Sequence, residues 1–199
     1  MDGDQRWDQT RNVLAVIAEA SPQFDSDGVD LYFLNSDVFR KHIKTRDEVM
    51  QLFNDVLPDG GTPTGRRLKK VLNEYIPRLE QKIDPATVKM VNILIITDGD
   101  PTDDVESVIV NTAERLDRSQ VPGHLLGIQF VQVGDDPDAT RALHNLDNAL
   151  SNKHNIRDMV DTTPFNPDNP QFNLEETLFK VLWGGINRQV DHINEYRRV

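Results

Sequence analysis

Ile95-Ile96-Thr97-Asp98-Gly99-Asp100-Pro101-Thr102 runs from apolar residues straight into a carboxylate-rich turn. An aspartate at the tip of a buried strand is rigid and desolvated on one side, and Gly99 lets the backbone turn sharply beside it. Oxygen ligands so placed suit a hard cation such as Mg²⁺, which demands near-octahedral geometry. Asp98 and Asp100 would serve equally well as caps for the helix that follows. A second stretch, Gly60-Gly61-Thr62-Pro63-Thr64-Gly65, combines glycines that admit close backbone approach with hydroxyls able to give a metal an oxygen. Gly134-Asp135-Asp136 adds a third polar cluster after another apolar run. The histidines at 42, 124, 144, 154 and 192 are scattered, with no pair at metal-ligand helical spacing, and suit solvated or core roles.

These clusters must be held by alternating elements. Trp7, Leu14, Ile17 and Ala18 mark a first helix with one apolar face. Val29 to Leu34 reads as a strand, and Val38 to Ile43 as its hairpin partner. Thr45-Arg46-Asp47-Glu48 is a capping box leading into a short helix with Val49, Leu52 and Phe53. After the glycine loop, Leu68, Val71, Leu72, Tyr75, Ile76 and Leu79 stripe a long helix, whose Arg66-Arg67 and Lys69-Lys70 read as its wet face, or else as a basic rim near Thr62 that would steer an acidic partner. Met90 to Ile96 is almost unbroken apolar sequence, as a strand covered on both faces requires. A helix with Val105, Val108, Ile109 and Leu116, a strand from Leu125 to Val133, a helix with Ala139, Leu143, Leu146 and Leu150, and a short strand at Met159-Val160 follow. Thr163 to Asn173 reads as a loop, and Leu174, Leu178, Leu182, Ile186, Val190 and Ile193 stripe a closing helix interrupted by Gly184-Gly185. Alternating strands and helices imply a parallel sheet with helices on both faces. Ligands of such sheets sit beyond the carboxyl ends of the strands, where Asp98 and Asp135 fall.

Composition narrows the partners. Twenty-two basic and 33 acidic side chains leave a net charge of -11 over 199 residues. That surface repels phosphate backbones and anionic lipid, so the expected partner is a protein, with neither nucleic acid nor membrane. No window approaches the run of about 20 apolar residues that a membrane span needs. With no cysteine the chain has no disulfide or zinc-thiolate site and suits a reducing compartment; a cytoplasmic location is expected.

Thr62 and Asp98, with a helix between them, resemble the von Willebrand factor A family, in which a D-x-S-x-S strand, a loop threonine and a T-D-G aspartate together hold a metal ion. Gly127-Ile128-Gln129-Phe130-Val131-Gln132-Val133-Gly134 resembles that family's next strand. The resemblance covers residues 6–188 and is closest to intracellular, fungal-type members. It implies a single domain over residues 1–199, an α/β three-layer Rossmann-like fold, and a metal-ion-dependent adhesion site that binds proteins. It implies no catalysis. Thr62 and Asp98 are the implied ligands, for Mg²⁺ or Mn²⁺, and a partner's acidic side chain fills the open position.

The D-x-S-x-S motif is missing. It should precede the helix that begins near Arg6, and Met1 falls where the methionine after that motif stands. The expectation is a chain that starts one residue past the motif, through a start assigned too far downstream. The first, central strand is then absent from between Val29–Leu34 and Met90–Ile96. Those strands must close on each other, bind something else, or lose order. Two ligands hold Mg²⁺ weakly unless Asp2, Asp4 or Asp100 contributes. A metal-free scaffold for protein contacts is the main alternative. A haloacid-dehalogenase-type phosphohydrolase is a lesser one: Asp98-Gly99-Asp100-Pro101-Thr102 also matches its D-x-D-x-T motif, with Asp98 as nucleophile, Asp100 as acid/base and Gly134-Asp135-Asp136-Pro137-Asp138 as a later acidic motif.

Overall fold

The computed structural model describes residues 3–23, 25–58, 60–81, 88–148, 150–163, 174 and 176–178. The chain runs α1 (Gly3–Ala20), β1 (Val29–Tyr32), β2 (Phe39–Ile43), α2 (Arg46–Asn54), α3 (Thr64–Leu79), β3 (Val91–Thr97), α4 (Val105–Arg118), β4 (Leu126–Gln132), α5 (Pro137–Asn148), α6 (Leu150–His154) and β5 (Val160–Thr163). The expected helix through Leu150 is divided into α5 and α6. Of the closing helix, Leu174 and residues 176–178 are described and helical. Thr163, expected to open a loop, instead ends β5; the rest of that expected loop, 164–173, with Gly184-Gly185 and His192, lies outside the described residues.

The fold is mixed α/β, with β3, β4 and β5 forming a parallel sheet in that order. The register sets Ile93 beside Ile128 and Ile95 beside Phe130. This row packs with Leu68, Leu72 and Ile76 of α3, Ile109 and Leu116 of α4, and Leu143 of α5. The alternate row, with Leu94, Ile96 and Val131, packs with Val13 and Ile17 of α1 and with Leu174 and Leu178. Helices therefore cover both faces, because successive side chains on a strand point to opposite sides.

β1 and β2 form a separate antiparallel hairpin. It packs on Ala15 and Ala18 of α1 and on Val49, Leu52 and Phe53 of α2, with Trp7 4.7 Å from Phe53 between ring centroids. Glu48 closes the capping box at α2, its backbone N–H donating to Thr45 Oγ1 at 3.3 Å while its carboxylate accepts from Thr45 N at 3.0 Å. A cap of this kind contributes about 1 kcal/mol.

Among the described residues β1 and β3 do not pair with each other. They still share their neighbours: Val29 joins Leu94 and Ile96 on the α1 side, and Leu34 joins Ile93 on the α3–α4 side. The cost falls on β3. Residues 91–94 and Ile96 are only half-buried, whereas Ile128, Phe130 and Val131 of β4 are wholly buried. The continuous apolar run at Met90–Ile96 thus belongs to a strand paired along one edge. Among the described residues no helix is long and apolar enough to cross a membrane.

Candidate functional site

Thr97 closes β3 and starts the turn. Its carbonyl accepts from Val133 N at 2.9 Å, and its hydroxyl donates to Gly99 O at 3.1 Å. The loop before α3 folds against this turn, with Thr102 N donating to Thr62 O at 3.0 Å. The Thr62 hydroxyl oxygen lies 3.8 Å from where a Cβ on Gly99 would stand. Thr62 and the residue beside Asp98 therefore occupy one rim, at the carboxyl end of β3.

Two contacts fasten the loops. Pro63, at the N-cap of α3, makes no side-chain cap, so the orphan N–H groups of that helix need another acceptor. Asp103 provides it: its two carboxylate oxygens accept from Gly65 N and Arg66 N, each at 2.7 Å. The approach is close enough that a Cβ on Gly65 would stand 2.5 Å from the Asp104 carbonyl oxygen. Asp104 itself caps α4, accepting from Ser107 N at 2.9 Å. That corrects the alternative reading of Asp98 and Asp100 as helix caps and leaves both carboxylates at the exposed rim.

Asp98 meets an arginine. Arg6, on the first turns of α1, places Nη1 3.6 Å from Asp98 Oδ2 and donates from Nη2 to Asp135 Oδ1 at 3.1 Å. The guanidinium lies over Gly134, whose φ is +89°; a Cβ there would stand 2.6 Å from Arg6 Nε. The backbone conformation favours glycine, and a side chain there would push the Arg6 guanidinium aside. Asp135 is held out by the turn beneath it. Gln132, fully buried, donates to Asp136 O at 2.9 Å and accepts from Thr140 Oγ1 at 2.9 Å, while Asp136 Oδ1 accepts from Asp138 N at 2.8 Å to begin α5.

This donor set does not fit a divalent cation. Mg²⁺ needs several oxygens in near-octahedral array. The rim offers the Thr62 hydroxyl and the carboxylates of Asp98 and Asp135, both ion-paired with Arg6, and among the described residues no three of Asp, Glu and His gather in a metal-holding group. Asp2 and the side chain of Asp4 lie outside the described residues, and Asp100 is exposed. Arg6, paired with both carboxylates, offsets part of their charge and weakens the rim's pull on a second cation.

A basic cavity adjoins the rim. It encloses about 240 Å³ and is lined by Asn35, Ser36 and Asp37 after β1 and by Arg66, Arg67 and Lys70 of α3. Arg67 does not belong to a wet face as expected: it is 8% exposed. Its Nη2 donates to Ser36 O and to Asp37 Oδ1. Its Nε and Nη1 are buried without hydrogen-bond partners, and an unsatisfied buried donor costs about 1–3 kcal/mol. Lys70 Nζ donates to Asp37 Oδ1 at 3.0 Å. That hydrogen bond, the Lys70 charge and Arg67 hold the Asp37 carboxyl below its ordinary range.

Reasoning from sequence missed Arg6, Asp103 and the burial of Arg67. A glycine directly after an apolar strand and before Asp135 signalled a close approach at Gly134, but nothing local named the side chain that makes it. No family model, curated protein or solved structure matches the chain.

Proposed function

We propose that this chain is a non-catalytic protein-binding module of the von Willebrand A type, whose strand-tip rim meets its partner without a divalent cation. The observation that carries this reading is the Arg6 guanidinium bridging Asp98 and Asp135 where a metal would need open carboxylates. One fixed positive charge balances part of the acidic rim, so no ion has to be recruited before a partner docks. The loops that present the rim are tied to each other through Asp103 and Thr62, which limits the ordering cost of binding. Asp98, Asp100, Thr102 and Asp135 remain exposed around that frame.

Photo-cross-linking tests the proposal. A photoreactive residue at position 100 is expected to capture a protein partner in cell extract equally with Mg²⁺ or with chelator. The same group at Arg118, exposed at the far end of α4, is expected to capture nothing. Capture that requires Mg²⁺ would contradict a metal-free rim. The phosphohydrolase alternative needs Asp98 open to attack phosphorus, and hydrolysis of p-nitrophenyl phosphate that is lost in Asp98→Asn would revive it.

A further inference from the structure

The geometry points to a second binding site, at the Arg67 cavity, for an oxyanion carried by an acidic peptide segment. The site rests on the reading of this end of the molecule as protein-binding, but on different residues. Three cations, Arg66, Arg67 and Lys70, line a cavity whose one acidic side chain is Asp37. In a chain of net charge -11 that local excess is unusual, and the global field does not explain it. Arg67 is the anchor. A guanidinium offers five donors in a rigid fork that matches carboxylate or phosphate oxygens. Here Nη2 carries the Asp37 contact that an oxyanion would take over, while Nε and Nη1 are buried out of its reach and without partners.

Asp37 shows what the site accepts. Its carboxylate sits on Lys70 and Arg67, yet its side chain is 88% exposed, so the contacts that hold it are open to solvent and to a competing carboxylate. It is a resident ligand that an incoming carboxylate can replace at little cost. The exchange runs from outside inward. Exposed Arg66 and Lys70 meet the incoming acidic segment first; its oxyanion then takes the place of Asp37 against Arg67. A short acidic segment suits the cavity better than an isolated ion, because about 240 Å³ exceeds one carboxylate and leaves room for the flanking side chain.

The probe is a fluorescent hexaglutamate peptide, titrated by anisotropy at low and at physiological ionic strength, with inorganic phosphate as competitor. Binding to the wild-type chain is expected, weakening with salt. The exposed substitutions Lys70→Gln and Arg66→Gln are expected to weaken it roughly two- to fivefold each. Asp37→Asn is expected to tighten it by a similar factor, a gain that a misfolded variant would not give. No peptide binding, equal binding by the Lys70→Gln variant, or no gain in Asp37→Asn would overturn the site. Phosphate binding with the peptide silent would assign the cavity to a free ion and overturn the peptide assignment. Cross-linking at position 100 that survives any of these failures would leave the rim reading standing, so the two fail separately.

Discussion

At the strand tips two carboxylates, Asp98 and Asp135, share the guanidinium of Arg6; in the neighbouring cavity Lys70 and Arg67 share the carboxylate of Asp37. The two regions are charge inversions of one another. Each holds an internal counterion of the sign it would otherwise recruit. The rim keeps an acidic excess and the cavity a basic one, so the two proposed sites call for opposite chemistry in a partner even though they adjoin. Arg66 links them: its backbone N–H is held by Asp103 of the rim loop, and its side chain lines the cavity. At about 0.1 M salt, exposed charges are screened over roughly 10 Å, so the two regions can keep distinct local potentials.

Breaking the link between them should have the largest effect. Gly65→Ala drives a Cβ to 2.5 Å from the Asp104 carbonyl oxygen, a clash with backbone that cannot rotate away. We expect a loss of about 1–3 kcal/mol, read as a shifted urea midpoint. Asp103→Ala should follow at about 1–2 kcal/mol, since it leaves two N–H groups at the start of α3 without their acceptor. If both variants unfold like the wild type, the two regions are not mechanically joined.

The native-state effect of Arg6→Gln on stability should be smaller, less than about 1 kcal/mol, because Asp98 and Asp135 are more than half exposed. The smallest effect is expected at Asp37. Its carboxyl is held low by the Lys70 hydrogen bond first, then by the charges of Lys70 and Arg67. A depressed folded value means the contact is fully present above the ordinary aspartate value near 3.8 and is lost as pH falls through the lower one. Carboxyl-carbon NMR should therefore place the Asp37 midpoint below 3.8 in the folded chain, and a midpoint at or above that value would separate Asp37 from the cavity cations.

Local pattern made much of this legible. The stripe from Leu68 to Leu79 gave α3, the Thr45–Glu48 box gave the start of α2, and the apolar runs gave β3 and β4. Thr62 and Asp98 are paired in the sequence only through the family resemblance; the structure brings the Thr62 hydroxyl near Gly99, the residue after Asp98. What stayed hidden depends on contacts across the chain. Arg6 and Asp135 are 129 positions apart, and no periodicity in α1 distinguishes Arg6 from any other charge on a helix. Arg67 looks like a wet-face residue because it follows Arg66 and precedes Lys69-Lys70; its burial and its contact with the Ser36 carbonyl, 31 positions away, leave no local mark. The half-burial of β3 was equally invisible, since an apolar run is the same whether one edge of the strand is paired or two.

The central claim is that Arg6, rather than a metal ion, neutralises the rim. Isothermal titration of Mn²⁺ into the wild type, Arg6→Gln and the Arg6→Gln/Asp98→Asn pair addresses it directly. The account calls for no binding heat in the wild type, a weak site in Arg6→Gln where the two carboxylates are released, and its loss once Asp98 is neutralised. Tight stoichiometric Mn²⁺ binding by the wild type, abolished by Asp98→Asn alone, would contradict it.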